Sequence, residues 1–269
     1  MYCTKEDFEK LGSEHHLILT NHVYDIDWLV SWWYFEKTNV LGCSRSMIKN
    51  AIKYIPICGW FAWLDDQMFL HRSLEKDKKT IESHISRYVH YPNPMSVTLI
   101  AEGTRFTKEK HEESVKFALA KNLEPLKHHL IPRAGGFNLC VPLLKKYKFP
   151  MLYNIQIGIN KNGPIRPTLG NLFLGKKVTA HVFVERIPME KVEPTFEFLY
   201  DVYKQKDAVQ EGFHKNGNFL ENIGGRKIEA FPMKPQSRVL INFFVWMSFL
   251  LSLVFFFSVE MILAGKSFI

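Results

Sequence analysis

The chain has 269 residues, a mass of 31.5 kDa and 46% hydrophobic residues, enough for one sizeable domain with a real core plus an appendage. Lysine and arginine outnumber aspartate and glutamate by 35 to 27, and the net charge of +8 favours anionic partners. The four cysteines form no C-x-x-C pair and no secretory signal begins the chain, which argues against a disulfide-built secreted protein and for reduced thiols in a cytosol-like compartment.

The first predicted strand leads into a polar turn. Residues 1–16 are polar and are interpreted as a lead-in, whereas the apolar run 17–20 predicts a buried strand and residues 28–35 predict a buried helix. His22 lies where the strand ends, and Asp27 follows about one helical turn later. At this spacing the carboxylate can accept the proton of one imidazole nitrogen and leave the other as a base. The same pattern also fits a turn histidine followed by a helix cap.

A basic stretch comes next. Residues 44–55 place apolar side chains on one stripe and lysine or arginine on another, which predicts a basic amphipathic helix ended by Pro56. Such a helix usually packs on a sheet. Because the aromatic segment 56–64 follows it, a surface that faces a membrane or an acyl chain is a second interpretation.

The remaining elements alternate between strand and helix. They are predicted as a strand at 67–72, a helix at 75–88, a strand at 96–101, helices at 108–122 and 134–146, strands at 151–159 and 176–187, and a helix at 197–213. This alternation predicts an α/β fold, with a mostly parallel sheet flanked by helices. The predicted domain covers residues 1–215, and a glycine-containing linker covers 216–238.

The last part of the chain is strongly apolar. Residues 239–259 contain 21 positions without a charge, about the length that crosses a hydrocarbon core of ~30 Å as a helix. We therefore expect a C-terminal transmembrane helix at 239–264. Basic residues precede it more often than they follow it, which by the positive-inside rule places the domain on the cytosolic side.

Polar residues follow a second strand end. Gly103 would let a ligand approach the backbone, Thr104 offers a hydroxyl, and Arg105 offers a fork for a phosphate. Glu102 would orient Arg105 or take a substrate hydroxyl, and Arg72, at another strand end, would be a second anion contact. A surface loop with a Glu–Arg pair is the alternative. Taken together, the three strand ends predict a site that binds a phosphorylated alcohol and deprotonates its hydroxyl.

Several motifs occur in the order and spacing of a known family. The sequence resembles the glycerolipid acyltransferases that carry the H-x4-D motif, over about residues 2–233. Finer details resemble the animal 1-acylglycerol-3-phosphate acyltransferases (lysophosphatidic acid acyltransferases) of the endoplasmic reticulum. The motifs that carry the resemblance are Asn21-His22-x4-Asp27, Phe69-x2-Arg72, Glu102-Gly103-Thr104-Arg105-Phe106-Thr107, Leu130-Ile131-Pro132-Arg133 and Leu199-Tyr200-x2-Tyr203-x2-Lys206-Asp207-Ala208.

The resemblance implies a function in phospholipid biosynthesis. An acyl group would pass from acyl-CoA to the free hydroxyl of a lysophospholipid, foremost 1-acylglycerol-3-phosphate, giving phosphatidic acid. His22 would be the general base and Asp27 its orienting partner, while Arg72 and the loop 102–105 would hold the phosphate. Acyl-CoA would be a co-substrate, with no cofactor and no metal. The implied partners are acyl-CoA, the lysophospholipid and the endoplasmic reticulum membrane, with the catalytic domain in the cytosol and no nucleic acid bound.

Other functions remain as alternatives. Family members usually carry a hydrophobic segment upstream of the first motif, but only 21 residues precede His22, so we expect a fragment or an isoform. A catalytically impaired, membrane-tethered lipid-binding homologue is one alternative, and an acyltransferase for another lysophospholipid is a second. A Ser-His-Asp hydrolase lacks its G-x-S-x-G motif, and the P-loop-like stretch 170–177 lacks the Ser or Thr after its lysine.

Overall fold

The computed structural model describes residues 1–56, 58–71, 73–160, 163, 165–220, 225–233 and 237–263. The chain divides into two compact units, Met1–Phe231 and Pro232–Ile269. The strands are β1 (Tyr2–Cys3), β2 (His16–Thr20), β3 (Ser44–Lys49), β4 (Met68–Leu70), β5 (Ser96–Leu99), β6 (Met151–Ile159), β7 (Ala180–Pro188) and β8 (Glu229–Ala230). The helices are α1 (Lys5–Lys10), α2 (Asp27–Lys37), α3 (Cys58–Leu64), α4 (Leu74–Tyr88), α5 (Lys108–Ala120), α6 (Ala134–Lys146), α7 (Leu169–Phe173), α8 (Phe196–Asn216) and α9 (Ser237–Leu263).

The strands of the first unit form a single sheet in the order β4-β3-β5-β2-β6-β7-β1-β8. Strand β2 lies at its centre and runs parallel to β5 and β6, and β3 runs parallel to β5 and β4. The antiparallel pairs are β6 with β7 and β1 with β8. The predicted α/β fold with a mostly parallel sheet is confirmed. Because β2, β3, β4, β5 and β6 all run in one direction, the residues that follow them meet at one edge of the sheet.

Both faces of the sheet are covered by helices, so all five residues of β2 are buried. Successive side chains of a strand point to opposite faces, and the core follows this alternation. Leu17 and Leu19 belong to a cluster that includes buried residues of α4, α6 and α8. Ile18 belongs to a second cluster that includes Val30 and Tyr34 of α2. Burial on both sides fixes the register of β2 and hence the position of its last residue.

The amphipathic helix predicted at residues 44–55 is wrong. The first half of this segment is strand β3, which pairs Ser46 with Thr98 of β5 and Met47 with Met68 of β4. A strand between two neighbours makes ladder hydrogen bonds on both sides, and these contacts override the helical spacing of its apolar residues. The second half is a 3-10 turn at Asn50–Tyr54, after which α3 begins.

The N-terminal lead-in predicted at residues 1–16 is also corrected, because part of this segment belongs to the domain. Tyr2 pairs with Phe183 of β7 on one side and with Ala230 of β8 on the other. The side chain of Thr4 caps α1 by accepting a hydrogen bond from the backbone N–H of Asp7. The polar composition concealed a two-residue strand that is held by backbone pairing and by its side chains, since Cys3 is buried in the second core cluster and the Tyr2 hydroxyl lies 2.8 Å from Nδ1 of His181.

The transmembrane helix predicted at 239–264 is not supported. Helix α9 of the second unit covers Ser237–Leu263, but no helix among the described residues is long and apolar enough to cross a membrane. Crossing requires about 20 consecutive apolar residues.

Candidate active site

The centre of the candidate site is a histidine–aspartate pair. His22 follows β2, and its Nδ1 lies 3.0 Å from Oδ2 of Asp27, the first residue of α2. The His22 side chain is 30% exposed, whereas that of Asp27 is 6% exposed. When Nδ1 carries the proton that faces the carboxylate, Nε2 holds the lone pair that can accept a proton. The pair therefore combines a reachable base with a buried partner that orients it.

The local chain folds around the carboxylate of Asp27. Its Oδ2 also accepts hydrogen bonds from the backbone N–H groups of Val23 (2.7 Å) and Tyr24 (2.8 Å). A carboxylate in the first turn of a helix is favoured by the helix dipole, so the position suits a permanent negative charge. The spacing of four residues between His22 and Asp27 thus follows from a tight turn that closes on one oxygen atom.

Neighbouring strands hold the backbone of His22. The side chain of Asn21 donates to the Ile157 carbonyl (3.0 Å) and accepts from the Ile157 N–H (2.8 Å), which ties the end of β2 to β6. The carbonyl of His22 accepts a hydrogen bond from the N–H of Phe106 (2.8 Å), in the loop after β5. The segments that follow β2 and β5, which were predicted to share a site, are therefore joined by a hydrogen bond.

Glu102 lies inside the protein beneath this junction and is only 1% exposed. Its two oxygens accept hydrogen bonds from the backbone N–H groups of His22 and Leu130, each at 3.3 Å. Burial raises the pKa of Glu102 to about 8, although these two bonds and the nearby ammonium of Lys206 act in the opposite direction. In this position Glu102 holds two loops together and does not orient Arg105, one of the two roles predicted for it.

The rest of the loop faces outward and carries positive charge. Gly103 has a φ of 69°, which favours glycine, and a Cβ there would lie 3.3 Å from Cδ of Arg133. The hydroxyl of Thr104 accepts a hydrogen bond from Nζ of Lys110. Arg105 forms an ion pair with Asp25, and both side chains are nearly half exposed. An anion that enters here meets guanidinium and ammonium groups beside a glycine backbone.

Lys110 and Arg133 were not among the predicted site residues. Lys110 lies in the first turn of α5. The side chain of Thr107 caps that helix by accepting a hydrogen bond from the backbone N–H of Lys110 (3.3 Å). A lysine one helical turn after a candidate phosphate loop is within reach of that loop, and this was the signal in the sequence. Arg133 precedes α6, and its N–H donates to the Ala101 carbonyl (2.8 Å).

The predicted anion contact Arg72 lies outside the described residues. Its two neighbours are fixed by Asp77 of α4, which is buried. Oδ1 accepts from the N–H of His71 (2.8 Å) and Oδ2 from the N–H of Ser73 (3.0 Å). His71 follows β4, which is parallel to β3, so this segment starts from the same edge of the sheet as His22.

The two histidines in the loop after α5 form hydrogen bonds with carboxylates of α8. Nε2 of His128 lies 2.7 Å from Glu211, and Nδ1 of His129 lies 3.0 Å from Asp207. Within the described part of the chain, no group of three or more His, Cys, Asp or Glu side chains is arranged to hold a metal ion. These contacts connect the loop before α6 to the long helix that supports the sheet.

Comparison with known proteins identifies the family. The acyltransferase family model matches residues 3–135, and the acyltransferase C-terminus model matches residues 171–246. The chain is 34% identical over 273 residues to 1-acyl-sn-glycerol-3-phosphate acyltransferase delta of Bos taurus, covering 99% of this chain and 69% of the relative. The human delta and gamma enzymes are 35% and 33% identical, over 96% and 99% of this chain and 67% and 69% of their own lengths. The chain therefore belongs to the 1-acylglycerol-3-phosphate O-acyltransferases, the H-x4-D family that its motifs resemble.

Proposed function

We propose that the protein transfers a fatty acyl group from acyl-CoA to the free hydroxyl of 1-acylglycerol-3-phosphate and so forms phosphatidic acid. The observation that carries this proposal is the 3.0 Å contact between His22 and Asp27, next to a cationic loop bonded to the same histidine. The names of the relatives supply the acceptor. The proposal uses acyl-CoA as co-substrate and no resident cofactor.

The chemical step needs one base and good positioning. The acceptor hydroxyl gives its proton to Nε2 of His22 while its oxygen attacks the thioester carbonyl carbon. The C–S bond then breaks, an oxygen ester remains, and CoA thiolate leaves and takes up the proton from the imidazolium. General-base catalysis contributes roughly 10²–10⁴ in rate, and holding both substrates together contributes more. Asp27 stabilises the imidazolium because its charge is buried beside Nδ1.

We assign the acceptor phosphate to the outward-facing loop Gly103–Arg105. Lys110 already contacts Thr104, and Arg105 is held by Asp25 on the surface, so a phosphate can compete for both cations. Arg72 remains a second candidate contact on sequence grounds. Since one substrate is a membrane lipid and the other is water-soluble, we place the reaction at the cytosolic face of the endoplasmic reticulum membrane, as the family resemblance implies.

An acyl-transfer assay tests the proposal. Purified full-length protein is incubated with radiolabelled acyl-CoA and a panel of lysophospholipids, and product formation is measured for wild type, His22→Ala and Arg105→Ala. We expect His22→Ala to abolish turnover while lipid binding persists, and Arg105→Ala mainly to raise the acceptor KM. His90→Ala is the matched control, because His90 is exposed after α4, away from the site. Full activity in His22→Ala would refute the mechanism, and a wild type without turnover on any acceptor would favour an impaired lipid-binding homologue.

A further inference from the structure

A cluster of large apolar side chains is exposed where the chain leaves β3. We call Tyr54, Ile55, Trp60, Phe61, Trp63 and Leu64 the aromatic patch; their exposed fractions range from 50% to 76%. On the surface of a soluble protein, exposed apolar residues usually occur singly. A group of six within eleven sequence positions is typical of a binding surface. The site described above makes no use of these residues.

A glycine keeps the patch turned outward. Gly59 of α3 is buried, and a Cβ there would lie 2.3 Å from the carbonyl oxygen of Ile52 and 2.5 Å from that of Lys53. The helix can therefore pack against the preceding 3-10 turn only through this side. The backbone N–H of Gly59 also donates a hydrogen bond to the Ile55 carbonyl (2.8 Å), which fixes the turn between the 3-10 segment and α3. Phe61 and Leu64 consequently lie on the opposite side of α3, and they are 62% and 74% exposed.

The patch begins at the catalytic edge of the sheet, with Tyr54 and Ile55 after β3, and α3 then runs back toward the start of β4. Strands β2, β3 and β5 are parallel, so the turn after β3 leaves the same edge as His22 after β2 and Glu102 after β5. Trp28 of α2, one residue after Asp27, is also 43% exposed. An apolar surface at this edge therefore adjoins the side from which the proposed acceptor lipid enters.

The charges around the patch indicate its partner. Lys49 and Lys53 are exposed, and neither has an acidic partner within ion-pair distance among the residues that the structure describes. The acidic residues that follow the patch are neutralised, since Asp65 lies 3.5 Å from Arg45 and Asp66 lies 2.9 Å from Arg87. Tryptophan and phenylalanine beside unpaired lysines suit the boundary between head groups and acyl chains of an anionic bilayer.

We propose that residues 54–56 and 58–64 insert into the interface of a bilayer that contains anionic lipid and seat the catalytic edge of the sheet on it. The inference deepens the proposed function by giving the surface through which the enzyme meets the membrane of its acceptor. Aromatic side chains enter the head-group and acyl-chain boundary, while Lys49 and Lys53 contact lipid phosphates.

Site-specific labelling tests the insertion without turnover. Cys3 and Cys140 are buried, and burial raises the pKa of both thiols to about 12, so labelling needs only Cys43→Ser and Cys58→Ser to remove the more accessible thiols. Phe61→Cys then carries an environment-sensitive fluorophore on the full chain. The matched control carries it at Phe117→Cys, since Phe117 is 50% exposed on α5, about 14 Å along the helix axis from Lys108.

With vesicles of phosphatidylcholine and phosphatidic acid, we expect the label at residue 61 to shift to shorter wavelength and to be quenched by brominated lipids. The label at residue 117 should show neither change. We also compare the affinity for these vesicles with the affinity for vesicles of pure phosphatidylcholine. In the double variant Lys49→Gln/Lys53→Gln the ratio of the two affinities should fall by about fivefold for each lysine replaced. An emission at residue 61 that stays water-like, or is no more quenched than at 117, overturns the proposal.

Turnover is measured separately with a water-soluble short-chain acceptor, so that the two proposals can fail independently. Trp60→Ala with Trp63→Ala should keep this turnover and lose turnover on vesicle-bound acceptor. Insertion without turnover in the wild type would refute the acyltransferase proposal alone. Equal turnover on both acceptors in the double variant would count against the membrane role of the aromatic patch.

Discussion

Asp27→Asn tests the catalytic pair most directly, because it removes the charge of Asp27 and keeps its shape. The side chain is 6% exposed, and its Oδ2 accepts from Nδ1 of His22 and from the N–H groups of Val23 and Tyr24. The amide oxygen of asparagine can still accept the two backbone bonds. It no longer places a negative charge beside the imidazole.

The expected loss follows from the distance between the two groups. Opposite unit charges about 4 Å apart interact by roughly 4 kcal/mol at an effective dielectric constant of about 20. In the proposed step His22 gains its positive charge as it takes the proton from the acceptor, so this energy would stabilise the transition state and not the bound substrates. We therefore expect kcat to fall by about 10³ in Asp27→Asn, with little change in the acceptor KM.

The assay measures CoA thiol release for wild type, Asp27→Asn, His22→Ala and the double variant. Because Asp27 acts through His22, the double variant should be no slower than His22→Ala alone. Asp201→Asn serves as the control, since it removes an exposed carboxylate on α8 that pairs with Lys204. A kcat within tenfold of wild type in Asp27→Asn, or losses that multiply in the double variant, would refute the reasoning.

Three further substitutions test the groups that support the site. Burial raises the pKa of Glu102 from 4.5 to about 8, so the folded chain holds this proton more tightly, and the free energy of unfolding should fall as pH rises through that range. Glu102→Gln should lose this slope in urea unfolding at several pH values. Gly103→Ala places a Cβ at a φ of 69° and should lower stability by about 1 kcal/mol in thermal unfolding while raising the acceptor KM. Asn21→Ala leaves both backbone groups of Ile157 unpaired and should cost about 2–4 kcal/mol in guanidinium unfolding. An Asn21→Ala or Gly103→Ala variant as stable as wild type would contradict the prediction for that residue. For Glu102→Gln, the contradicting result is a pH dependence of stability that equals that of wild type.

The placement of the candidate site could be predicted from the sequence, because the segments that form it follow strand ends. An apolar run at 17–20 and another at 96–101 give two buried strands, and parallel strands bring the residues after them to one edge. His22 and the loop at 102–105 therefore had to lie close together. The direction of a single side chain is different, since Glu102 turns inward only because the N–H groups of His22 and Leu130 meet there. No local pattern in the sequence carries that information.

The wrong helix prediction for residues 44–55 has a similar cause. Met47, Ile48, Ala51, Ile52 and Ile55 follow helical spacing, but the spacing does not decide between a helix and an inner strand. The pairing of β3 with both β5 and β4 decides it, and both partners are distant in sequence. Apolar periodicity records that a segment is buried on one side, whereas the partner strands determine its backbone.

The candidate site contains both buried and exposed groups, and we expect these two sets to affect different properties. Asn21, Asp27 and Glu102 are almost fully buried, and together they bind the backbone on both sides of His22 to β6, α2 and the loop before α6. In the proposed mechanism the base is therefore held in place before any substrate arrives, which lowers the reorganisation required in the transition state. Arg105 and Lys110 lie at the surface and can move onto a phosphate. Head-group selection should accordingly change with substitutions in the exposed loop, and the chemical step with substitutions of the buried residues.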